Sequence, residues 1–172
     1  MDSSGMFYRI DEPLERFPSI AAALLKYKKH EWIIIAFEKA KKVDLMWLNK
    51  GINQFGVSSY LNISNILNTA KSGNFNTILI FHNHPNWNPN YYKFNKPSGQ
   101  DLNSANEFKN ALNPAGLNLL EFVCERGRHY EYSLSPADTF YPITIYQTEL
   151  EKENGKTKSK NLLLHIERVF QI

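Results

Sequence analysis

The apolar positions of this chain fall into short continuous runs and helical stripes. EWIIIAF (residues 31–37) and TILIF (77–81) are β-branched runs too short for helices, and read as buried strands. The polar turn EKAKKVD (38–44) joins the first run to LMWLNKG (45–51), a plausible antiparallel partner. Residues 14–29, LERFPSIAAALLKYKK, predict a helix whose better half begins at Pro18, with Lys28, Lys29 and His30 suited to the negative end of its dipole. Leu61, Ile63, Ile66, Leu67 and Ala70 form a second helical stripe, which Gly73 is placed to stop. Leu102, Ala105, Phe108 and Leu112 form a third, ending before Pro114. LNLLEFVCERGRHYEYSL (117–134) reads as a hairpin turning at Arg126-Gly127. The order α-β-β-α-β-loop-α-β-β predicts a mixed α/β domain closing near residue 134. Beyond it the texture changes. Asn154-Gly155 could turn a further hairpin with YPITIYQTEL and LLLHIERVF as arms, and no internal repeat is visible.

Composition narrows the class. The 172 residues suit one domain with a small appendage, and 42% hydrophobic with 22% charged residues is ordinary for a globular protein. Nothing is long and apolar enough to span a bilayer. The start, MDSSGMFYRIDEP, lacks the basic and apolar regions of a secretory signal. A single cysteine, Cys124, excludes an internal disulfide and a thiolate metal cluster. Set in the apolar strand FVCER, it reads as a small buried hydrophobe rather than a nucleophile. A reducing, cytoplasmic location is the expectation, and any bound metal must rest on histidines and carboxylates. Lysines cluster at 26–29, 39–42 and 156–160, and the net charge is +3. Solvated faces and helix ends account for such clusters, so charge alone does not mark a nucleic-acid protein.

The candidate chemistry sits in FHNHPNWNPNYYKFNKPSGQD, residues 81–101. In an extended chain residues two apart project to the same side, about 7 Å apart at the backbone, so His82 and His84 can converge on one ion. They lie at the end of a buried strand, where α/β proteins tend to place ligands. Asn83 points away. Ser98 and Asp101 read as a capping pattern before a helical stripe, yet an aspartate in a first turn can also face a neighbouring metal. Two imidazoles and one carboxylate make the three-ligand set of a catalytic zinc with an open fourth position. A base for the bound water could be Glu31 or Glu38. Roughly 23 Å of strand separates them and they point to opposite faces, so only one can reach the metal. Spacing does not say which. His30, pointing away from Glu31 by alternation, and His129 and His165 read as structural or surface residues.

His-x-His followed by Ser-x-x-Asp, in the context FHNHP and PSGQD, resembles the metal motif of the JAB/MPN (JAMM) metallopeptidase superfamily, and most of all its RadC-like branch. The likeness covers about residues 14–133: the Glu-led strand and hairpin, the helix and strand entering the motif, and the closing helix and strands. It implies an α/β fold of JAB/MPN (cytidine-deaminase-like) type, three layers with a mixed β-sheet flanked by helices. Residues 1–133 would be this domain, and 134–172 a small C-terminal extension of unknown role. His82, His84 and Asp101 match the zinc ligands, Ser98 the serine that helps hold the reacting oxygen, and Glu31 the general base; Glu38 then falls in the following turn. The implied activity is zinc-dependent hydrolysis of a peptide or isopeptide bond, Glu31 activating a zinc-bound water. Implied partners are a protein or peptide substrate, a ubiquitin-like protein being one candidate, and a homodimer is another option. No membrane partner is implied, and nucleic acid is disfavoured.

Two features depart from the family pattern. Thirteen residues (85–97) separate His84 from Ser98 where about seven are usual, and Glu121-Phe122 stands where an Asp-His pair is common. The insertion carries Trp87, Tyr91, Tyr92 and Phe94 with Lys93 and Lys96. These aromatics could grip substrate or a partner, pack on the protein, or stack single-stranded bases. The competing reading is a non-catalytic JAB/MPN scaffold that binds a protein or DNA partner through residues 86–96. A peptide-cleaving component of a phage or cell-wall system would share the chemistry and differ only in substrate.

Overall fold

The computed structural model describes residues 5–26, 28–50, 62–84, 99–133 and 167–171. Strand β1 (Met6–Pro13) leads into helix α1 (Phe17–Leu25), then the hairpin of β2 (Trp32–Lys39) and β3 (Lys42–Lys50). Helix α2 (Ile63–Gly73) precedes β4 (Thr77–Asn83). Helix α3 (Gly99–Leu112) crosses to β5 (Asn118–Glu125), which turns into β6 (Arg128–Ser133), and β7 (Glu167–Gln171) completes the set. The protein is α/β, with a mixed sheet in the order β6-β5-β4-β2-β3-β1-β7. Among the described strands only β4 and β5 run parallel; the other neighbours are antiparallel. That parallel pair requires a crossover, which α3 supplies.

Alternation along the buried strands builds a core on each face of the sheet. One face carries Ile34, Ala36, Leu79, Phe81, Leu120 and Phe122 beneath α1. Helix α1 is almost wholly buried there because FPSIAAALL offers no charged side chain to solvent. The opposite face carries Ile33, Ile35, Phe37, Ile78, Ile80 and Leu119 beneath Ile66 and Ala70 of α2 and Phe108 and Leu112 of α3. In β2 and β4, Ile33 pairs with His82. Directly opposed residues share a face, so His82 emerges on the side covered by α2 and α3.

Every helix and strand expected between residues 14 and 134 is present, with corrections at the edges. Helix α1 ends at Leu25, so Lys28, Lys29 and His30 lie beyond its last turn and do not serve its dipole. The left-handed residue closing α2 is Asn74 (φ 55°), one past Gly73. On α3 the buried stripe is Asp101, Ala105, Phe108 and Leu112, and Leu102 is 46% exposed. Strand β1 was not expected from the pattern. A register shift between Arg9 and Glu12 breaks the alternation that would have marked it. The turn at Arg126-Gly127 has both residues at positive φ, as a type I′ hairpin turn requires, and Ala40-Lys41 does the same without a glycine. Of the extension, Glu167–Gln171 pairs antiparallel with β1 at the edge of the same sheet. The Asn154-Gly155 turn lies outside the described residues.

Candidate metal centre

Three elements meet at one end of the sheet. Glu31 immediately precedes β2, and His84 immediately follows β4, which runs antiparallel beside it. Asp101 lies in the first turn of α3 at the head of its buried stripe. Packing of Phe108 and Leu112 against the sheet aims that stripe inward, and Asp101 is carried to the histidines with it.

The donor atoms converge. His82 Nε2 and His84 Nε2 are 3.0 Å apart, and Asp101 Oδ2 is 3.2 Å from each. A Glu31 carboxylate oxygen joins them, with all four ligand atoms within 4.8 Å of one another. Ligand atoms about 2.0–2.1 Å from a tetrahedral ion stand about 3.3–3.4 Å apart, so the His–His–Asp triangle has nearly the size of one face of such a tetrahedron. This group could hold a metal ion, and its nitrogen and oxygen donors suit zinc among others.

The electrostatics agree with that use. His82 is fully buried, and burial holds its imidazole below the usual range while Asp101 pulls the other way. The neutral ring that burial favours is the form that binds metal. Glu31 is pushed up to about 7, first by burial, with Asp101 adding and His84 opposing. Near neutrality it is therefore divided between acid and base forms, as a proton-transfer group needs.

Glu38 is excluded from the site. It lies at the far end of β2, where its Oε1 accepts from the Lys41 backbone N–H at 2.8 Å and braces the β2–β3 turn. Ser98 and the aromatics Trp87, Tyr91, Tyr92 and Phe94 lie outside the described residues, as does His165. His129 is buried, 3.4 Å from Ser19 Oγ and edge-on to Phe122, and plays a packing role. Cys124 is buried and burial pushes its thiol far up, which suits a core residue and not a nucleophile.

Two residues beside the cluster were not singled out as functional from the sequence. Glu121, opposite Ile80 in the parallel pair, faces the same side as the histidines and is 1% exposed. Its carboxyl is pushed up to about 8, chiefly by burial, against a 3.4 Å hydrogen bond from the Tyr132 hydroxyl. The Tyr132 ring in turn stands edge-on to His82. A lone charge between Leu119 and Val123 on an inward-facing period was the available signal. Asn83 is the second. It points away from the histidines as alternation demands, and its amide bonds the backbone on both sides of Glu31.

Compared with protein-family models and with curated proteins, the chain matches none. No described helix is long and apolar enough to cross a membrane.

Proposed function

We propose that this protein is a zinc-dependent hydrolase of peptide or isopeptide bonds, of the RadC-like JAB/MPN kind that its motif resembles. The observation that carries the reading is the triangle of His82 Nε2, His84 Nε2 and Asp101 Oδ2, with edges of 3.0–3.2 Å and a buried glutamate beside it. His82, His84 and Asp101 would hold the metal. When bound, zinc polarises a carbonyl and lowers the pKa of water towards about 7. Glu31 takes a proton from the attacking water and returns it to the leaving nitrogen. Without metal its carboxyl is raised to about 7 by burial, which makes it a better proton acceptor than an ordinary carboxylate. Ser98 would donate its hydroxyl to the developing oxyanion. The loop aromatics Trp87, Tyr91, Tyr92 and Phe94 would contact a protein or peptide substrate.

The test is metal content by elemental analysis together with amine release from a mixed peptide library, for wild type and Glu31→Gln. The reading expects about one zinc per chain in both proteins, and a hydrolysis rate lower by about 10²–10⁴ in the variant. Absence of zinc after supply near neutral pH would overturn it in favour of the partner-binding scaffold.

A further inference from the structure

We propose that Asn83, between the two histidines, is the positioning residue for Glu31; the inference rests on Glu31 being the general base. Asn83 is 3% exposed. Its Nδ2 donates to the His30 carbonyl at 2.9 Å, and its Oδ1 accepts from the Trp32 N–H at 2.6 Å. The two partners also fix which end of the amide is which, since the carbonyl needs a donor and the N–H an acceptor.

The consequence is geometric. The His30 carbonyl belongs to the peptide unit before the Glu31 Cα, and the Trp32 N–H to the unit after it. Each unit is planar, so pinning both fixes φ and ψ of Glu31 and with them the direction of its Cβ. The β2–β4 register runs from Glu38–Thr77 to Ile33–His82 and stops there. Glu31 thus lies just past the paired region, where strand ends fray. Asn83 replaces the missing rung with its side chain. It engages the carbonyl of residue 30 and the N–H of residue 32, the two groups flanking Glu31 that a residue of a parallel neighbour would bond.

The clamp also ties the base to the ligands. Asn83 stands on the same backbone as His82 and His84 and faces the other side of the sheet. Any shift of this strand end therefore carries the histidines and the Glu31 backbone together. The chemistry is particular to asparagine. Aspartate lacks the donor, a serine hydroxyl cannot span two groups on successive peptide units, and alanine offers neither.

The experiment uses the full chain, isotope-labelled, as wild type, Asn83→Ala and Asn83→Asp. Amide exchange at Trp32 and nuclear Overhauser contacts from the Glu31 side chain to the His82 and His84 rings are read without metal. Zinc affinity is then read by chelator competition. In Asn83→Ala the Trp32 amide should exchange about tenfold faster or more, with amides in the middle of β2 unchanged. The Glu31 contacts should weaken or vanish, and zinc affinity should fall by clearly less than the drop of about 100-fold or more expected for loss of a ligand, since His82, His84 and Asp101 are all kept. In Asn83→Asp the Trp32 bond survives and the His30 bond does not, so Trp32 exchange stays slow while the Glu31 contacts still weaken. That variant carries the test if the alanine form does not fold. Intact Glu31 contacts in the variants would overturn the proposal and leave Asn83 a plain strand-end brace. Should wild type bind no zinc, the hydrolase reading falls, and the Overhauser contacts still decide whether Asn83 sets Glu31.

Discussion

His84 Nε2 and Asp101 Oδ2 stand 3.2 Å apart although they are seventeen residues apart in the chain. The connection between them is about six residues longer than in the JAB/MPN pattern that the motif resembles. That length is thermodynamically cheap: loop-closure entropy grows as the logarithm of length, and going from eleven residues to seventeen costs about 0.4 kcal/mol. What returns Asp101 to the histidines is the docking of α3, whose Ala105, Phe108 and Leu112 continue the stripe that Asp101 heads.

Asp101→Ala should therefore remove a ligand without undoing the helix, because Asp101 is the polar head of a stripe whose apolar members remain. Zinc affinity measured by chelator competition should fall at least about 100-fold, more than the loss of an outer-sphere partner usually costs. Far-ultraviolet circular dichroism should be unchanged. An affinity within tenfold of wild type would show that Asp101 does not bind the ion.

Glu121→Gln should change how stability depends on pH. The Glu121 carboxyl is raised from 4.5 to about 8 in the fold. Between those values the folded state holds a proton that the unfolded state has released, so stability is full below about 4.5 and falls as pH rises towards 8. At about 1.4 kcal/mol per pKa unit, the loss is bounded at about 5 kcal/mol. Urea unfolding of the metal-free protein from pH 5 to 8 should show a clear decline in wild type. A flatter profile is expected for the glutamine variant, its remaining slope set by Glu31, raised to about 7, and Glu131, also raised by burial, against His82, whose lowered value adds stability as pH rises. Parallel profiles for the two proteins would sink the assignment.

The central part of the fold was legible because its strands are buried on both faces and its helices carry clear stripes. IIIAF and TILIF have no other use in a chain of this size. The edges were less legible. A bulge hides β1, and Ala40 and Lys41 form a tight turn in conformations that glycine or asparagine usually marks. In the site, the two histidines follow from period-two geometry alone, and Glu31 was distinguished from Glu38 only by resemblance. Sequence spacing cannot report which end of β2 meets β4's carboxyl end; pairing of Ile33 with His82 does. Leu102 was placed inward and Asp101 at a cap, although extending Leu112, Phe108 and Ala105 by one more turn reaches 101. The clamp by Asn83 depends on a strand splaying where its ladder stops, and no local pattern encodes that.

Phe81→Ala should separate stability from metal binding. Phe81 is fully buried, stacks on Phe122 with ring centres 4.7 Å apart, and meets Phe17 of α1 edge-on. It precedes His82 in β4 but faces the opposite side of the sheet. Truncation should cost about 3–5 kcal/mol in urea unfolding. Under conditions where the variant remains folded, its zinc affinity should stay near that of wild type. A loss of affinity as large as that of Asp101→Ala would mean that the two faces are not independent.

Zinc should also stabilise the fold, since the three donor atoms come from β4, its exit and α3, which approach one another only when the sheet and α3 are docked. Free zinc at about 100 times its dissociation constant adds about 2.7 kcal/mol. For a chain of this size each kcal/mol raises the melting temperature by about 2–4 °C, so a rise of about 5–11 °C is expected near neutral pH. The gain should shrink as pH falls, because metal ligation then competes with protonation of the ligands. In Asp101→Ala the same zinc should give much less than half the rise. An equal rise in both proteins would place the ion elsewhere, at a site that does not need α3 docked against the sheet.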